Sequence, residues 1–394
     1  MDGIVDVIEL TKALVAKRSI TPEDAGCQDL LVEILEKAGF EVSHHRFGEV
    51  DNFLATHAGD VSQPHPHLMW IGHTDVVPSG PESQWSSPPF EPAIVDGFLV
   101  GRGVADMKGS DAAMVLALCE FVQAHPNHPG RVSLVITSDE EGPAIDGIRA
   151  LVPHLKAHGL WPDACLVGEP SSHQILGDQI RIGRRGSIQA VLTIQGKQGH
   201  TAYALPEDNP VHRAGSLIAA LGALRFDDGD EAFDHTRLQI SNIQAGTGAD
   251  NVSPGELVIH FNIRNNPNSP SEAIHAQIKA LIESHDPGPW DLSWRVSAEP
   301  FGPCSGPFLD GVVKACESVL GMQPKLDTGG GTSDGRFFGP EGVPVIEVGP
   351  VNATIHQIDE RVAVADLEKL PGLYRAMMET LLIEQTSVSG AIET

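Results

Sequence analysis

The sequence predicts an α/β fold: a larger domain with a mostly parallel sheet flanked by helices, and a smaller α+β domain inserted into it. Three observations lead to this prediction. Continuous apolar runs alternate with helical stretches up to about residue 180, as in parallel strands buried on both faces. Runs that alternate apolar and polar residues, typical of strands with one solvated face, follow until about residue 297. The first pattern then returns. We therefore expect the larger domain at 1–180 and 298–394 and the inserted domain at 181–297.

Helix and strand signals alternate in the first part of the larger domain. Apolar spacing predicts a first helix over 4–17. A second helix is predicted between Thr21 as N-cap, with Pro22 at the first helical position, and Gly39 just past the end. Continuous apolar runs predict strands at 68–72, 132–137 and 164–167.

The inserted domain has four alternating runs, which predict strands at 187–195, 237–243, 257–263 and 291–297. One helix is expected at 210–224, and a second is framed by Ser269 as N-cap, Pro270 at the first helical position and Glu272 two positions later. The order strand-helix-strand-strand-helix-strand is the split βαβ, or ferredoxin-like, arrangement. The larger domain then continues with a helix at 309–320, a strand at 343–348 and a closing helix from about 365.

Charge limits the classes of partner. The 394 residues include 53 acidic and 26 basic side chains, which gives a net charge of −27. A field of that sign argues against nucleic acid and against an anionic membrane surface as partners. An anionic ligand would have to meet a local cluster of arginines.

Cysteine usage and the first residues of the sequence indicate the cellular compartment in which the protein is expected. The five cysteines show no CxxC spacing, which is typical of reduced thiols in a cytosol. The sequence does not begin with a basic segment followed by an apolar one, and no 18-residue apolar stretch follows. We therefore expect a cytoplasmic protein.

Metal-competent side chains follow each predicted strand of the larger domain. Ligands in open α/β sheets bind beyond the carboxyl ends of the strands. The polar residues at these ends are His73 and Asp75, Glu140 and Glu141, Glu169, and His356, with Asp106 ahead of an apolar helix that starts near Ser110. Taken singly, each could be a turn acid or a solvated histidine. Their recurrence at every strand end favours a common site.

This set suits two metal ions. Two histidines and three carboxylates give each ion one imidazole and one terminal carboxylate, if Asp106 and a water are shared. Each ion then has four ligands, the number that zinc prefers. Mixed imidazole and carboxylate ligands with an open position suit hydrolysis better than structural support.

The remaining two carboxylates are assigned catalytic roles. Neighbours in extended backbone point to opposite sides, so Glu141 can ligate metal while Glu140 faces the attacking water as general base. Residues i and i+2 of a strand share a face, so Asp75 would lie beside His73 and fix its tautomer.

These residues together resemble the di-zinc metallopeptidase family that includes aminoacylases, carboxypeptidase G and acetylornithine deacetylase. Longer stretches resemble its desuccinylase branch: GRRGS (183–187), QGHTAY (198–203), GTGADNVSP (246–254), GGGTSDGRF (329–337) and ATIHQIDERV (353–362). The resemblance implies cleavage of N-succinyl-LL-2,6-diaminopimelate to succinate and LL-2,6-diaminopimelate, a step toward lysine and peptidoglycan precursors.

The resemblance also implies a cofactor and its ligands. It implies two Zn²⁺ per subunit, for which Co²⁺ can substitute. His73 and Glu169 would bind one ion, Glu141 and His356 the other, and Asp106 would bridge the two.

Further roles follow from the resemblance alone. A small anionic N-acyl amino acid would contact the inserted domain and the Gly-rich loop through Arg184, Asn251, Arg264, Gly331, Thr332 and Ser333. His200 would be a lid histidine that reaches the active site of the partner subunit in a homodimer formed through the inserted domain. The chain departs from the family at Ala204-Leu205, where relatives usually carry Pro-His.

Three alternatives remain open. Gly331-Thr332-Ser333-Asp334-Gly335 fits the G-x-S-x-G pattern of a serine hydrolase, although no strand is predicted directly before it. The fold could instead serve as a non-catalytic binding module. Finally, the substrate could be another N-acyl amino acid, as for acetylornithine deacetylase.

Overall fold

The structure, a computed structural model, describes residues 6–62 and 66–384. The start of the predicted first helix, at residues 4 and 5, and both ends of the predicted larger domain therefore lie outside the described residues. The chain divides into a larger unit, comprising Met1–Ile182, Cys304–Asp327 and Ser333–Thr394, and a smaller unit, comprising Gly183–Pro303 and Thr328–Thr332. Within the described ranges, no helix is both long enough and apolar enough to cross a membrane.

Helices and strands alternate through most of the described chain. The helices are α1 (Val7–Val15), α2 (Cys27–Lys37), α3 (Gly109–Ala124), α4 (Ile148–Ala157), α5 (Pro210–Ala223), α6 (Ser271–His285), α7 (Pro307–Leu320), α8 (Val364–Leu367) and α9 (Leu370–Met378). The strands are β1 (Glu41–Phe47), β2 (Val50–Ala58), β3 (His67–His73), β4 (Ala93–Val95), β5 (Phe98–Val100), β6 (Arg131–Thr137), β7 (Ala164–Val167), β8 (Gln179–Arg181), β9 (Ser187–Gln195), β10 (Gly199–His200), β11 (Arg237–Ala245), β12 (Val252–Ser253), β13 (Glu256–Arg264), β14 (Trp290–Ala298), β15 (Lys325–Asp327), β16 (Val345–Glu347) and β17 (Arg361–Ala363).

The larger unit is built on an eight-stranded sheet with the order β1-β2-β6-β3-β7-β16-β8-β15. Its centre, β6-β3-β7-β16, is parallel, and β1 and β2 add an antiparallel edge. Every residue of β3 is buried, as expected for a strand covered on both faces. The predicted mostly parallel sheet is therefore confirmed, including all three strands predicted in its first part.

The smaller unit has a four-stranded antiparallel sheet with the order β11-β13-β9-β14, packed on α5 and α6. Alternate residues of β13 are buried, so one face of the strand faces the helices. The predicted split βαβ arrangement is confirmed in element order and type. The unit's strand β11 lies at an edge of this sheet, and residues 241–245 are all exposed.

Two predicted helix starts are wrong. Helix α2 begins after Gly26, not after Thr21, because the Thr21 N–H donates to the Val76 carbonyl and is thus held in extended pairing. Helix α6 has Pro270 at its N-cap, because the predicted cap, Ser269, directs its hydroxyl to Asp227 instead. In both cases a tertiary contact overrides the local cap signal, through the backbone N–H of Thr21 and through the side-chain hydroxyl of Ser269.

Candidate active site

The parallel centre of the large sheet determines where the site forms. Strands β3, β6 and β7 run in the same direction, so their carboxyl ends lie along one edge. His73 is the last residue of β3, Glu140 and Glu141 follow β6, and Glu169 follows β7. Sheet register therefore brings together residues that are up to about a hundred positions apart in sequence.

Asp106 lies between two histidine–carboxylate pairs. Its Oδ1 is 3.2 Å from His73 Nε2, which is also 3.5 Å from Glu169 Oε1. Its Oδ2 is 3.3 Å from His356 Nε2, which is 2.9 Å from Glu141 Oε1. Each carboxylate oxygen of Asp106 thus faces a different imidazole, the arrangement that a carboxylate shared by two cations requires.

His356 reaches this position from a turn. Its φ is 60°, in the left-handed region that non-glycine residues rarely adopt. The turn follows β16 and leads into β17, which pairs with β5. The side chain of His356 is half exposed, whereas those of His73, Asp106 and Glu169 are almost completely buried.

Electrostatics test whether this donor set fits a metal. Burial and the nearby charge of Asp106 raise the pKa of Glu169 well above its usual value. Burial also raises the pKa of Glu141 to about 7, although His356 opposes the shift. Hydrogen bonds to Asp106 and Glu141 raise the pKa of His356 to about 10. Carboxylates this crowded repel one another, and divalent cations would relieve that repulsion.

Ligand atoms also lie close enough for metal binding. His73, Asp106 and Glu141 offer one ligand atom each within 4.8 Å of one another, and so do His73, Glu140 and Glu169. The donors are imidazole nitrogen and carboxylate oxygen, which suit zinc and related divalent ions. The residues present therefore fit a binuclear metal centre.

Asp75 acts on the glutamates as well as on His73. The His73 Nδ1–H donates to the backbone carbonyl of Asp75 at 2.9 Å, whereas the Asp75 carboxylate is 3.6 Å from Nδ1. The bond that fixes the tautomer thus comes from the carbonyl, not from the predicted carboxylate. The carboxylate accepts instead from the backbone N–H groups of Glu140 and Glu141, at 3.2 and 3.1 Å. Asp75 therefore orients both the histidine and the glutamate pair.

Arg336 is a functional candidate that the sequence reasoning missed. Its guanidinium lies 3.3 Å from Glu140 Oε1 and 3.2 Å from Asp334 Oδ1, and its side chain is largely buried. Asp334 is fully enclosed, and burial raises its pKa to about 7. The only available signal was the presence of Arg336 in the GGGTSDGRF stretch.

Glu360 was missed as well. Its buried carboxylate pairs with Arg102 and accepts hydrogen bonds from backbone N–H groups of the loop that carries Asp106. Its available signal was its place in the ATIHQIDERV stretch, four residues after His356, since its residue type and spacing do not distinguish it from a solvated acid.

The predicted substrate contacts of the smaller unit form two groups. Arg184 is buried and donates from Nη1 to the backbone carbonyls of Gly329 and Gly331, at 2.9 and 3.3 Å. The arginine and the Gly-rich loop, which also contains Thr332, are therefore in contact. Arg264, at the end of β13, is half buried, and burial together with the charge of Arg185 lowers its pKa.

His200 and Asn251 form the second group. Strands β10 and β12 pair, and the Thr201 N–H donates to the Asn251 carbonyl at 3.0 Å. His200 is exposed, and its Nδ1 accepts from the Ala202 N–H at 3.1 Å. In a neutral imidazole this contact leaves the proton on Nε2, so that His200 presents a hydrogen-bond donor to solvent.

Among the described residues, no histidine is hydrogen-bonded to the Ser333 hydroxyl. The Ser333 hydroxyl donates a hydrogen bond to Glu347 Oε1. The Nε2 of His356 instead faces Asp106 and Glu141. The residues before Ser333 form a loop after β15 instead of a strand that leads into a nucleophile turn. The arrangement therefore does not support a serine nucleophile.

Comparisons with known proteins relate the chain to a family. The sequence profile described as Peptidase family M20/M25/M40 matches residues 69–380. The succinyl-diaminopimelate desuccinylase of Stenotrophomonas maltophilia (strain K279a) is 52% identical over 377 residues, which covers 96% of this chain and 99% of that protein. The protein of that name in Xanthomonas euvesicatoria pv. vesicatoria (strain 85-10) is 50% identical, with coverage of 96% and 100%.

Solved structures share the fold. The M20 family metallo-carboxypeptidase Sso-CP2 from Sulfolobus solfataricus superposes with a TM-score of 0.78 at 16% identity, covering 96% of this chain and 99% of that one. The dinuclear metal-binding M20 peptidase YXEP of Bacillus subtilis gives a TM-score of 0.72 at 17% identity, covering 95% and 97%.

Proposed function

The chain belongs to peptidase family M20/M25/M40, and on this basis we propose that it is a metal-dependent amide hydrolase that converts N-succinyl-LL-2,6-diaminopimelate to succinate and LL-2,6-diaminopimelate. The observation that carries the proposal is the position of Asp106 between the His73–Glu169 pair and the Glu141–His356 pair. The substrate assignment rests on two relatives named succinyl-diaminopimelate desuccinylase, each at least 50% identical over 96% of this chain. The product would serve lysine and peptidoglycan synthesis.

The proposed metal content is two Zn²⁺ per subunit, with Co²⁺ able to substitute. His73 and Glu169 would hold one ion, Glu141 and His356 the other, and Asp106 both. When bound, the ions would lower the pKa of a water and polarise the amide carbonyl. The raised pKa of His356 supports a site that releases a proton when it takes up a cation.

Glu140 is the proposed general base. It takes a proton from the water that attacks the amide carbonyl and gives that proton to the leaving amine. The Asp75 carboxylate accepts from the N–H groups of Glu140 and Glu141 and so holds the main chain of both residues. Arg336 contacts Glu140 Oε1 and keeps that carboxylate in a defined orientation.

The proposed substrate carries three carboxylates, and the smaller unit supplies donors for them. The proposed contacts are Arg184, Arg264 and Asn251, with Gly331 and Thr332 of the loop. The larger unit would add the main chain of Ser333, whose hydroxyl donates to Glu347. Arginine suits this role because its planar guanidinium donates two parallel hydrogen bonds to a carboxylate. In a chain with a net charge of −27, such local donors are needed to attract an anion.

The proposed assembly is a homodimer through the smaller, lid-forming unit, and the proposed location is the cytoplasm. Strand β11 pairs with β13 on one side and forms an edge of its sheet on the other, so its outer backbone groups could pair with the same strand of a second copy. In such a dimer His200 would donate from Nε2 to the oxyanion in the partner subunit's active site. All five cysteines are free thiols, in keeping with a reducing compartment.

A second candidate substrate, an N-acetylated amino acid such as acetylornithine, uses the same chemistry. Purified protein should be assayed on both compounds in parallel, with each product quantified. We expect a much higher kcat/KM for the succinylated substrate, because acetylornithine has no carboxylate on its acyl group. A higher kcat/KM for acetylornithine would overturn the substrate assignment.

A further inference from the structure

Glu360 connects the two loops that carry Asp106 and His356. It lies in the turn after His356, and its side chain is only 1% exposed. Its backbone carbonyl accepts from the Gly101 N–H at 3.0 Å, on the approach to the Asp106 loop. The residue therefore contacts the Asp106 loop through both its main chain and its side chain.

Both oxygens of the Glu360 carboxylate accept hydrogen bonds from that loop. Oε1 accepts from the N–H groups of Ala105 and Asp106, at 3.0 and 3.1 Å. Oε2 accepts from the Gly103 N–H at 3.0 Å and from Arg102 Nη1 at 2.6 Å. Three backbone donors within residues 103–106 and a buried guanidinium are thus directed at one side chain.

The loop needs such a partner. Residues 103–106 are buried, and the φ of 83° at Gly103 and the φ of −124° at Asp106 show that this stretch is not a regular helix. Its N–H groups therefore need acceptors outside the stretch. Buried N–H groups without acceptors are costly, and a carboxylate that accepts several of them is a strong partner. Arg102 is itself only 2% exposed, lies over the ring of Trp85, and neutralises the buried carboxylate.

We propose that Glu360 is a positioning residue of the metal centre: it fixes the Asp106 main chain relative to His356 and thereby sets the distance between the shared and the terminal ligand of one ion. This inference rests on the proposed function, because it takes Asp106 and His356 as ligands. Glu360 itself would touch neither metal nor substrate. Partners that orient metal ligands are typically worth about 10–100-fold in metal affinity.

The test compares Glu360→Gln with the wild-type protein and with Asp227→Asn as a matched control. Glutamine keeps the shape but presents an NH₂ group to one or more of the donors. Asp227 also accepts hydrogen bonds from two backbone N–H groups and two side chains, in the smaller unit, which carries none of the proposed metal ligands. Metal-free proteins are titrated with Co²⁺ by calorimetry and by the visible absorption of the bound ion.

We expect Glu360→Gln to bind Co²⁺ about 10–100-fold more weakly in at least one step, with an altered absorption spectrum. Excess Co²⁺ should restore kcat, and KM should stay unchanged. Asp227→Asn should melt at a lower temperature but bind Co²⁺ as the wild type does. If Glu360 contributed only to the stability of the fold, Glu360→Gln would melt at a lower temperature but would bind Co²⁺ with wild-type affinity.

A second variant covers the case in which Glu360→Gln does not fold. Glu360→Asp keeps the charge beside Arg102, but its carboxylate is one methylene too short to reach both Ala105 and Asp106. It should show the same type of affinity loss. Wild-type Co²⁺ affinity in the folded variants would overturn this inference alone. A wild-type protein that binds no Co²⁺ would overturn the proposed function as well.

Discussion

At the scale of single residues, adjacent glutamates have different environments. Glu141 faces His356 and Asp106, whereas Glu140 faces Arg336. Asp75 accepts from both N–H groups, so the main chains of the two residues share one anchor while the two carboxylates contact different partners. Neutralising Glu140 and neutralising Glu141 should therefore change different properties of the protein.

Glu140→Gln should keep its metal and its fold but lose about 10²–10⁴-fold in kcat, because only the proton acceptor is removed. Glu141→Gln is the matched comparison, and it should bind less metal. Steady-state kinetics and metal analysis of both proteins measure the difference. Turnover by Glu140→Gln within about a factor of two of the parent would mean that the base has been misassigned, since a general base normally contributes far more.

Residue type and position predicted much of the candidate site, because side chains at the ends of parallel strands must meet at one edge of the sheet. Asp75 was singled out, but its carboxylate binds the Glu140 and Glu141 main chain, a contact that no spacing rule indicates. Glu360 was missed because its partners are backbone groups more than 250 positions away. Backbone donors are the same in every residue and leave no trace in the sequence.

At the scale of elements, hydrophobic runs predicted the buried strands, since β3, β6 and β7 lack polar alternation. Strand β1 was not predicted, because it lies at the outer edge of the sheet and contains the polar run Ser43–Arg46. Strand β2 was not predicted either, because its apolar run, 53–55, is short and has polar residues on both sides. Helix starts depend on single hydrogen bonds. Tertiary contacts to Val76 and Asp227 override the local signals at Thr21 and Ser269.

Strand β3 also carries a pH-sensitive contribution to stability. Burial lowers the pKa of His67, at the start of the strand, to about 4, and its Nε2 is 2.8 Å from Ser133 Oγ. The unfolded chain takes up a proton near pH 6.5, whereas the folded chain does so only near pH 4. The contribution is therefore complete above pH 6.5 and is lost as the pH falls toward 4, by about 3 kcal/mol in all.

The replacement His67→Gln should remove this dependence. The free energy of unfolding of the metal-free protein should be measured with urea from neutral pH to about pH 4. It should fall less steeply with pH in the variant than in the wild type, and the difference in slope should correspond to about one proton fewer taken up on unfolding. The variant should be less stable than the wild type at neutral pH, where the hydrogen bond to Ser133 is lost. Equal slopes for the two proteins would show that His67 does not titrate differently on unfolding.

At the scale of the whole molecule, the proposed dimer makes catalysis depend on two chains. If His200 acts in the partner's active site, two inactive variants should complement each other. A mixed dimer of His200→Ala and Glu140→Gln contains one site with an intact Glu140 and the partner chain's intact histidine. Activity should therefore return when the two proteins are mixed and allowed to exchange subunits.

The control for this experiment is each variant incubated alone under the same conditions. Exchange itself can be followed with subunits of different mass. A mixture that exchanges subunits but recovers no activity would place His200 in the active site of its own chain, or outside catalysis altogether.

Metal at the proposed site should be required for amide hydrolysis; its ligands would be His73, Asp106, Glu141, Glu169 and His356. The experiment is to strip the protein of metal and to measure the release of succinate from N-succinyl-LL-2,6-diaminopimelate as Zn²⁺ or Co²⁺ is added back. We predict no turnover without metal and a return of activity that saturates at two ions per chain. Full activity in exhaustively metal-free protein would rule out a metal-dependent hydrolase.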